Sequence, residues 1–99
     1  MKEKLHFDEN CIKLFVGQIP RVWREQEILN VFSQFGEIFD LQVLNDRLTG
    51  QSRGCAFLTF QLNSSAYECI DKFHGVKHLP GMAHPVQAGF DEIRPANYW

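Results

Sequence analysis

The feature that most limits how this chain can fold is the alternation in "RGCAFLTF", Arg53 to Phe60. Successive side chains of a strand point to opposite faces, so the run divides into Gly54, Ala56, Leu58 and Phe60 on one side and Arg53, Cys55, Phe57 and Thr59 on the other. The first set suits packing beneath helices, because its two small residues admit a close approach and Leu58 and Phe60 fill the remaining space. "KLFVGQI", Lys13 to Ile19, divides in the same way, burying Leu14 and Val16 and turning Phe15 to the opposite face. Side by side, the two strands bring Phe15 next to Phe57 on a face that no helix covers. Rings of this kind are often ordinary core residues, but here the alternation with Leu14, Val16, Ala56 and Leu58 leaves them no buried side, so they are expected to be exposed.

The remaining elements follow from period and punctuation. Within Trp23 to Phe35, the apolar residues Ile28, Leu29, Phe32 and Phe35 recur at helical spacing, and Gly36 ends the run. Glu37 to Asn45 reads as a second strand, joined to Arg53–Phe60 through a hairpin loop marked by Asp46 and Gly50. Asn63 or Ser64 is expected to cap a second helix, with Ala66, Cys69, Ile70 and Phe73 on one face and Gly75 at its end. His84 to Phe90 forms a last strand after the turn "LPGM". The order strand, helix, strand, strand, helix, strand predicts an α+β, ferredoxin-like βαββαβ fold, a four-stranded antiparallel sheet with two helices on one face. A chain of 99 residues, 44% hydrophobic, has material for one core. That domain is expected over residues 13–90, between an N-terminal extension (1–12) and a C-terminal tail or linker (91–99).

Charge and cysteine usage narrow the function. Ten basic against twelve acidic residues give a formal charge of -2, a poor match to a protein that grips a duplex through many phosphates. Binding of single strands stays open, because stacking on aromatic rings does not depend on net charge, and nine Phe, two Trp and two Tyr supply rings in excess. Cys11, Cys55 and Cys69 are widely spaced and form no zinc pattern, so free thiols in a reducing compartment are expected. His74, His78 and His84 follow no ligand spacing, and no metal is expected. No Ser/His/Asp order, phosphate-cradling glycine loop or carboxylate pair is present, so neither an enzyme nor a cofactor is expected. Without a long apolar run or the apolar core of a leader, the protein is expected to be soluble and intracellular, with no membrane partner.

"LFVGQI" and "RGCAFLTF" resemble the two ribonucleoprotein motifs of the RNA-recognition motif family, in the family's order and over roughly residues 13 to 90. The family's inner motif reads Lys/Arg, Gly, aromatic, Gly/Ala, Phe, Val, any residue, aromatic, and Cys55 stands where the first ring is expected. The resemblance implies that Phe15 and Phe57 stack on two successive bases and that Arg53 contacts a phosphate or sugar. Gln18, Gln42, Thr59 and Gln87, with Cys55, are further candidates on the RNA side, although polar residues on an open sheet face need no ligand. Cys55 is expected to leave a shallow space in which a base can tilt toward groups that read its identity.

"KLFVGQIPR", "GCAFLTF" and "LPGM" followed by "HPVQ" together resemble the first such motif of the CELF/Bruno-like, CUG-binding proteins, which also carry Cys at this place. That resemblance implies a U/G-rich, UGU-containing single-stranded RNA partner, mRNA or pre-mRNA, for a regulator of splicing, translation or stability. It further implies a location in nucleus and cytoplasm and a monomeric isolated domain. Ala88, Gly89 and Phe90 depart from the "VKP" of those relatives, removing a basic side chain expected near the RNA. The rival is the same fold turned to protein partners. Trp23 and the acidic balance favour that rival, whereas Phe15, Phe57 and Arg53 favour RNA.

Overall fold

The computed structural model describes residues 11–90. The expected tail, and all of the expected extension except Cys11 and Ile12, lie outside the described residues. The elements are β1 (Lys13–Gly17), α1 (Glu25–Phe32), β2 (Ile38–Asn45), β3 (Ser52–Phe60), α2 (Asn63–Phe73) and β4 (Gln87–Phe90). The strands form one sheet in the order β2-β3-β1-β4 with every neighbouring pair antiparallel, which is the predicted βαββαβ arrangement.

The core lies between one face of this sheet and the helices. Leu14 and Val16 of β1, Ala56, Leu58 and Phe60 of β3 and Ala88 of β4 meet Ile28 and Phe32 of α1 and Ala66, Cys69 and Phe73 of α2. These are the positions that alternation and helical spacing select. Aromatic edges close the end of the core: Phe73 meets Phe35 at 4.8 Å and Phe32 at 5.4 Å between ring centroids, both nearly perpendicular. Such pairs add about 0.5–1.5 kcal/mol each beyond the area they bury.

Four of the boundaries differ from expectation in ways that follow from the partners their backbone groups find, some local and some far away in sequence. β1 stops at Gly17 instead of Ile19, since Gln18 has φ 63° and turns the chain out of the sheet. The Ile19 N–H then donates to the Gly54 carbonyl at 2.9 Å. The first helix starts at Glu25 instead of Trp23, because the Trp23 N–H closes a turn on the Pro20 carbonyl and the Arg24 N–H donates to the Glu27 carboxylate at 2.8 Å. Its last turn tightens into a 3₁₀ segment, Ser33–Phe35. Neither Asn63 nor Ser64 caps α2; Leu62 occupies the cap position, and the Asn63 side-chain oxygen accepts the Ile12 N–H at 2.8 Å.

The fourth difference is β4, which begins at Gln87 instead of His84. Just before it, Val86 is engaged by the loop after α2: its N–H donates to the Lys77 carbonyl at 2.7 Å and its carbonyl accepts from Gly75 at 2.8 Å. The Ala88 N–H donates to His74 Nδ1 at 3.0 Å. This outer edge of β4 is thus partly satisfied by residues 74–77, and the His74 proton is assigned to Nε2.

Gly36 links the end of the first helix to β2 in a region open only to glycine, with φ 148° and ψ 178°. A Cβ there would also collide with the side chain of buried Ser65 on α2. Gly36→Ala is therefore expected to cost about 1–3 kcal/mol in urea unfolding with an unchanged slope. Stability equal to the parent would show that this junction relaxes freely.

Candidate nucleic-acid interface

The sheet face opposite the helices is built by register. Across its middle row Gln42, Phe57, Phe15 and Gly89 are successive partners on β2, β3, β1 and β4. One row along, Cys55, Gly17 and Gln87 are partners; on the other side lie Asp40, Thr59 and Lys13. Phe15 and Phe57 stand as the alternation requires, with ring centroids 6.0 Å apart and planes at 68°. The Lys13 ammonium lies 5.3 Å from the centre of the Phe57 ring, within the range of a cation–π contact.

Accessibility on this face differs from expectation. Phe57 is half-buried, but Phe15 is 2% exposed and Cys55 1% exposed, and Thr59 is also buried. None of these three belongs to the core cluster beneath the helices. Alternation assigns a face, whereas exposure depends on what lies alongside. Phe15, for one, lies edge to face with the Phe57 ring beside it. The expectation of two equally exposed rings is corrected to one accessible ring, Phe57, beside a covered one. The shallow space expected at Cys55 is likewise not found.

The other candidates are placed as follows. Gln42 is exposed next to Phe57, and Gln87 is half-buried opposite Gly17. Gln18 has left the strand and is half-buried in the turn after β1. Arg53 is half-buried, close enough to both Cys55 and Asp46 for its charge to act on each.

The alternation of β3 holds from Cys55 to Phe60 but breaks at Gly54, which has φ 81°. Between Val43 and Asn45 the β2–β3 register shifts, so that four steps on β3 match two on β2. A Cβ on Gly54 would sit 3.0 Å from the Ile19 carbonyl and 3.6 Å from the Arg21 side chain, so only glycine lets the loop after β1 fold over this point. Burial pushes the Cys55 thiol up, with Arg53 and then Arg21 pulling the other way. Arg21 therefore lies at the margin of the face, although it is far from both motifs' ring positions in sequence. Lys13 and Arg21 are the residues that motif reading missed. Lys13 was reachable by alternation, being two residues before Phe15; Arg21 depends on a long-range turn.

The three cysteines are free, with Cys69 buried and pushed up to about 12 by desolvation. Among the described residues no group of three His, Cys, Asp or Glu side chains could hold a metal ion. No helix among them is long and apolar enough to cross a membrane. The hairpin between β2 and β3 is a closed turn: one Asp46 carboxylate oxygen accepts from the N–H groups of Leu48 at 2.8 Å and Thr49 at 3.1 Å. The Gly50 N–H donates to the Asp46 carbonyl at 2.8 Å.

A family model described as the RNA recognition motif matches residues 14–83. Among solved structures, the chain is similar to the Sxl-lethal protein of a protein/RNA complex, at 28% identity and a TM-score of 0.72, over 79% of this chain. It spans about half, 46%, of that chain. It is also similar to the RRM of Rna15, at 25% identity and a TM-score of 0.72, covering 82% of this chain and 90% of that one. A second Rna15 structure, with bound RNA (GU), is matched at 26% identity and a TM-score of 0.68, over 80% and 81% of the two chains.

The hairpin yields a pH prediction. The N–H groups of Thr49 and Leu48, and then the charge of Arg53, hold the Asp46 carboxyl below its ordinary 3.8. With the folded value depressed, the carboxylate's support of the turn is complete above the ordinary value and is lost as pH falls through the depressed one. The amide proton shifts of Leu48 and Thr49 should titrate together with a midpoint below 3.8. A midpoint at or above it would show that these hydrogen bonds do not persist in solution.

Proposed function

We propose, from the premise that this chain belongs to the RNA recognition motif family, that its sheet face binds a short stretch of single-stranded RNA. The observation that carries this is Phe57, an accessible ring outside the core cluster, with Lys13 over it and the exposed Gln42 beside it. A nucleotide can use all three: the ring to stack its base on, the cation for its phosphate and the amide to donate to and accept from its base edge. Stacking on one ring supplies about 1–3 kcal/mol, which suits a face with few basic groups. The chain is a binding module rather than an enzyme.

Phe15 enters as the inner neighbour of Phe57 and, because it is covered, as the later contact. In this reading Arg53 meets a phosphate or sugar beyond the rings, Gln87 contributes from the row of Cys55, and Gln18 from the turn after β1. Preference for U/G-rich RNA is supported by the likeness of "GCAFLTF" to the CELF/Bruno-like proteins and by the GU RNA bound to the Rna15 domain. A role in splicing, translation or stability of mRNA, in nucleus and cytoplasm, rests on the same narrower likeness. The rival, a module for protein partners, rests on the acidic balance and on Trp23, whose half-buried ring packs in part against the core.

Phe57→Ala should weaken binding to a U/G-rich oligonucleotide by about 1–3 kcal/mol while the melting temperature changes little, because the ring lies outside the core. Fluorescence titration and a thermal melt check the two halves. Unchanged affinity for RNA that the parent binds would remove Phe57 from the contact.

A further inference from the structure

β4 is the short outer strand of the sheet, paired with β1 on one side and, among the described residues, with no strand on the other. Its outer side is tied to the end of α2 instead. The Ala88 N–H points away from β1 and donates at 3.0 Å to Nδ1 of His74, the residue at the C-cap of α2. Val86, just before the strand, is bonded to Gly75 and Lys77, so residues 74–77 grip both β4 and its approach.

The His74 bond differs from its neighbours in chemistry. A backbone carbonyl accepts at any pH, whereas an imidazole nitrogen accepts only while it carries no proton. The His74 side chain is exposed and within reach of solvent protons, but Ala88 is buried, which leaves its N–H little water to turn to. Protonation sets N–H against N–H, and the bond is lost. Its support of β4 is therefore present while His74 is neutral and is lost as pH falls through the imidazole range.

The other ionisable groups of the packed elements are few. On α2, Tyr67 and Asp71 share the side of His74 by helical spacing, and Tyr67 meets Phe90 of β4 at 5.7 Å between ring centroids. The loop adds Lys77, His78 and His84, and β4 itself carries no ionisable side chain. Among these residue types only histidine ordinarily changes charge near neutral pH, so His78 and His84 are the groups from which His74 must be told apart. His78 Nδ1 is turned to the Met82 carbonyl, 3.4 Å away.

The strand held in this way borders the sheet face, where Gln87 and Gly89 are the partners of Gly17 and Phe15. We propose that His74 is a proton-sensitive latch on β4: the neutral ring holds the strand, and with it Gln87, in the RNA-binding face, and the protonated ring releases it and weakens RNA binding. The effect on RNA rests on the RNA reading of the sheet face; the latch itself does not.

The test follows the whole chain by nuclear magnetic resonance from about pH 8 to about pH 5, the span over which histidine changes charge. The Ala88 amide shift should titrate together with the His74 ring protons, and its protection from hydrogen exchange, corrected for the intrinsic effect of pH, should fall about two- to tenfold. Affinity for a U/G-rich oligonucleotide should fall over the same span by a similar factor. His74→Asn places an amide oxygen at the same branch of the side chain, an acceptor that takes up no proton, and should leave affinity constant within about twofold. An Ala88 amide that ignores the His74 titration overturns the latch whether or not the variant folds. RNA affinity in His74→Asn that still falls as in the parent assigns the effect to His78 or His84 and overturns the coupling, as does parental affinity that does not change with pH. A parent that binds no RNA at either pH, while Ala88 still follows His74, defeats the RNA reading and upholds the latch.

Discussion

The pairing of β1 with β3 in the register that sets Phe15 opposite Phe57 is the constraint from which both faces of this molecule follow. With that register, Leu14, Val16, Ala56 and Leu58 all turn toward the helices, and the two small or β-branched members let α1 and α2 approach. A slip of β1 by one residue would send Leu14 and Val16 to the other face and bring Phe15 into the core. The energy that fixes the site is therefore the energy that fixes the fold. Phe57 needs no dedicated support, because the buried side of the same strand holds it in place.

Local periodicity made much of this legible. A run such as Arg53 to Phe60 states its two faces directly, and the spacing of Ile28, Phe32, Ala66, Cys69 and Phe73 states the helical ones. What stayed hidden depends on residues distant in sequence. Asn63 meets Ile12, Ala88 meets His74, and Ile19 meets Gly54, and each of these bonds moved a boundary or a cap. Exposure was hidden for the same reason: Phe15 and Phe57 share a face by alternation, yet one is covered and the other accessible. The kink at Gly54, which brings Arg21 to the face, has no signature beyond the glycine itself.

Cys55 illustrates the difference between a motif and its packing. In the consensus its position carries a ring, and the resemblance suggested an open recess in its place. The thiol is instead buried, and Arg53 and Arg21 are close enough to oppose the effect of that burial, whereas burial acts alone on Cys69. Cys55 is 1% exposed, so a ring at position 55 would have to make room among its neighbours, and overpacking is destabilising. The small residue thus stands between the Phe57 ring and the arginines Arg53 and Arg21.

The central claim is that single-stranded RNA lies on the sheet face through Phe57. Intermolecular nuclear Overhauser effects between a short U/G-rich RNA and the whole chain test it most directly. The account predicts contacts from the Phe57 ring protons to base protons, with further contacts to the Lys13 and Gln42 side chains. Contacts confined to the outer surfaces of α1 and α2, with the Phe57 ring silent while RNA is bound, would contradict it.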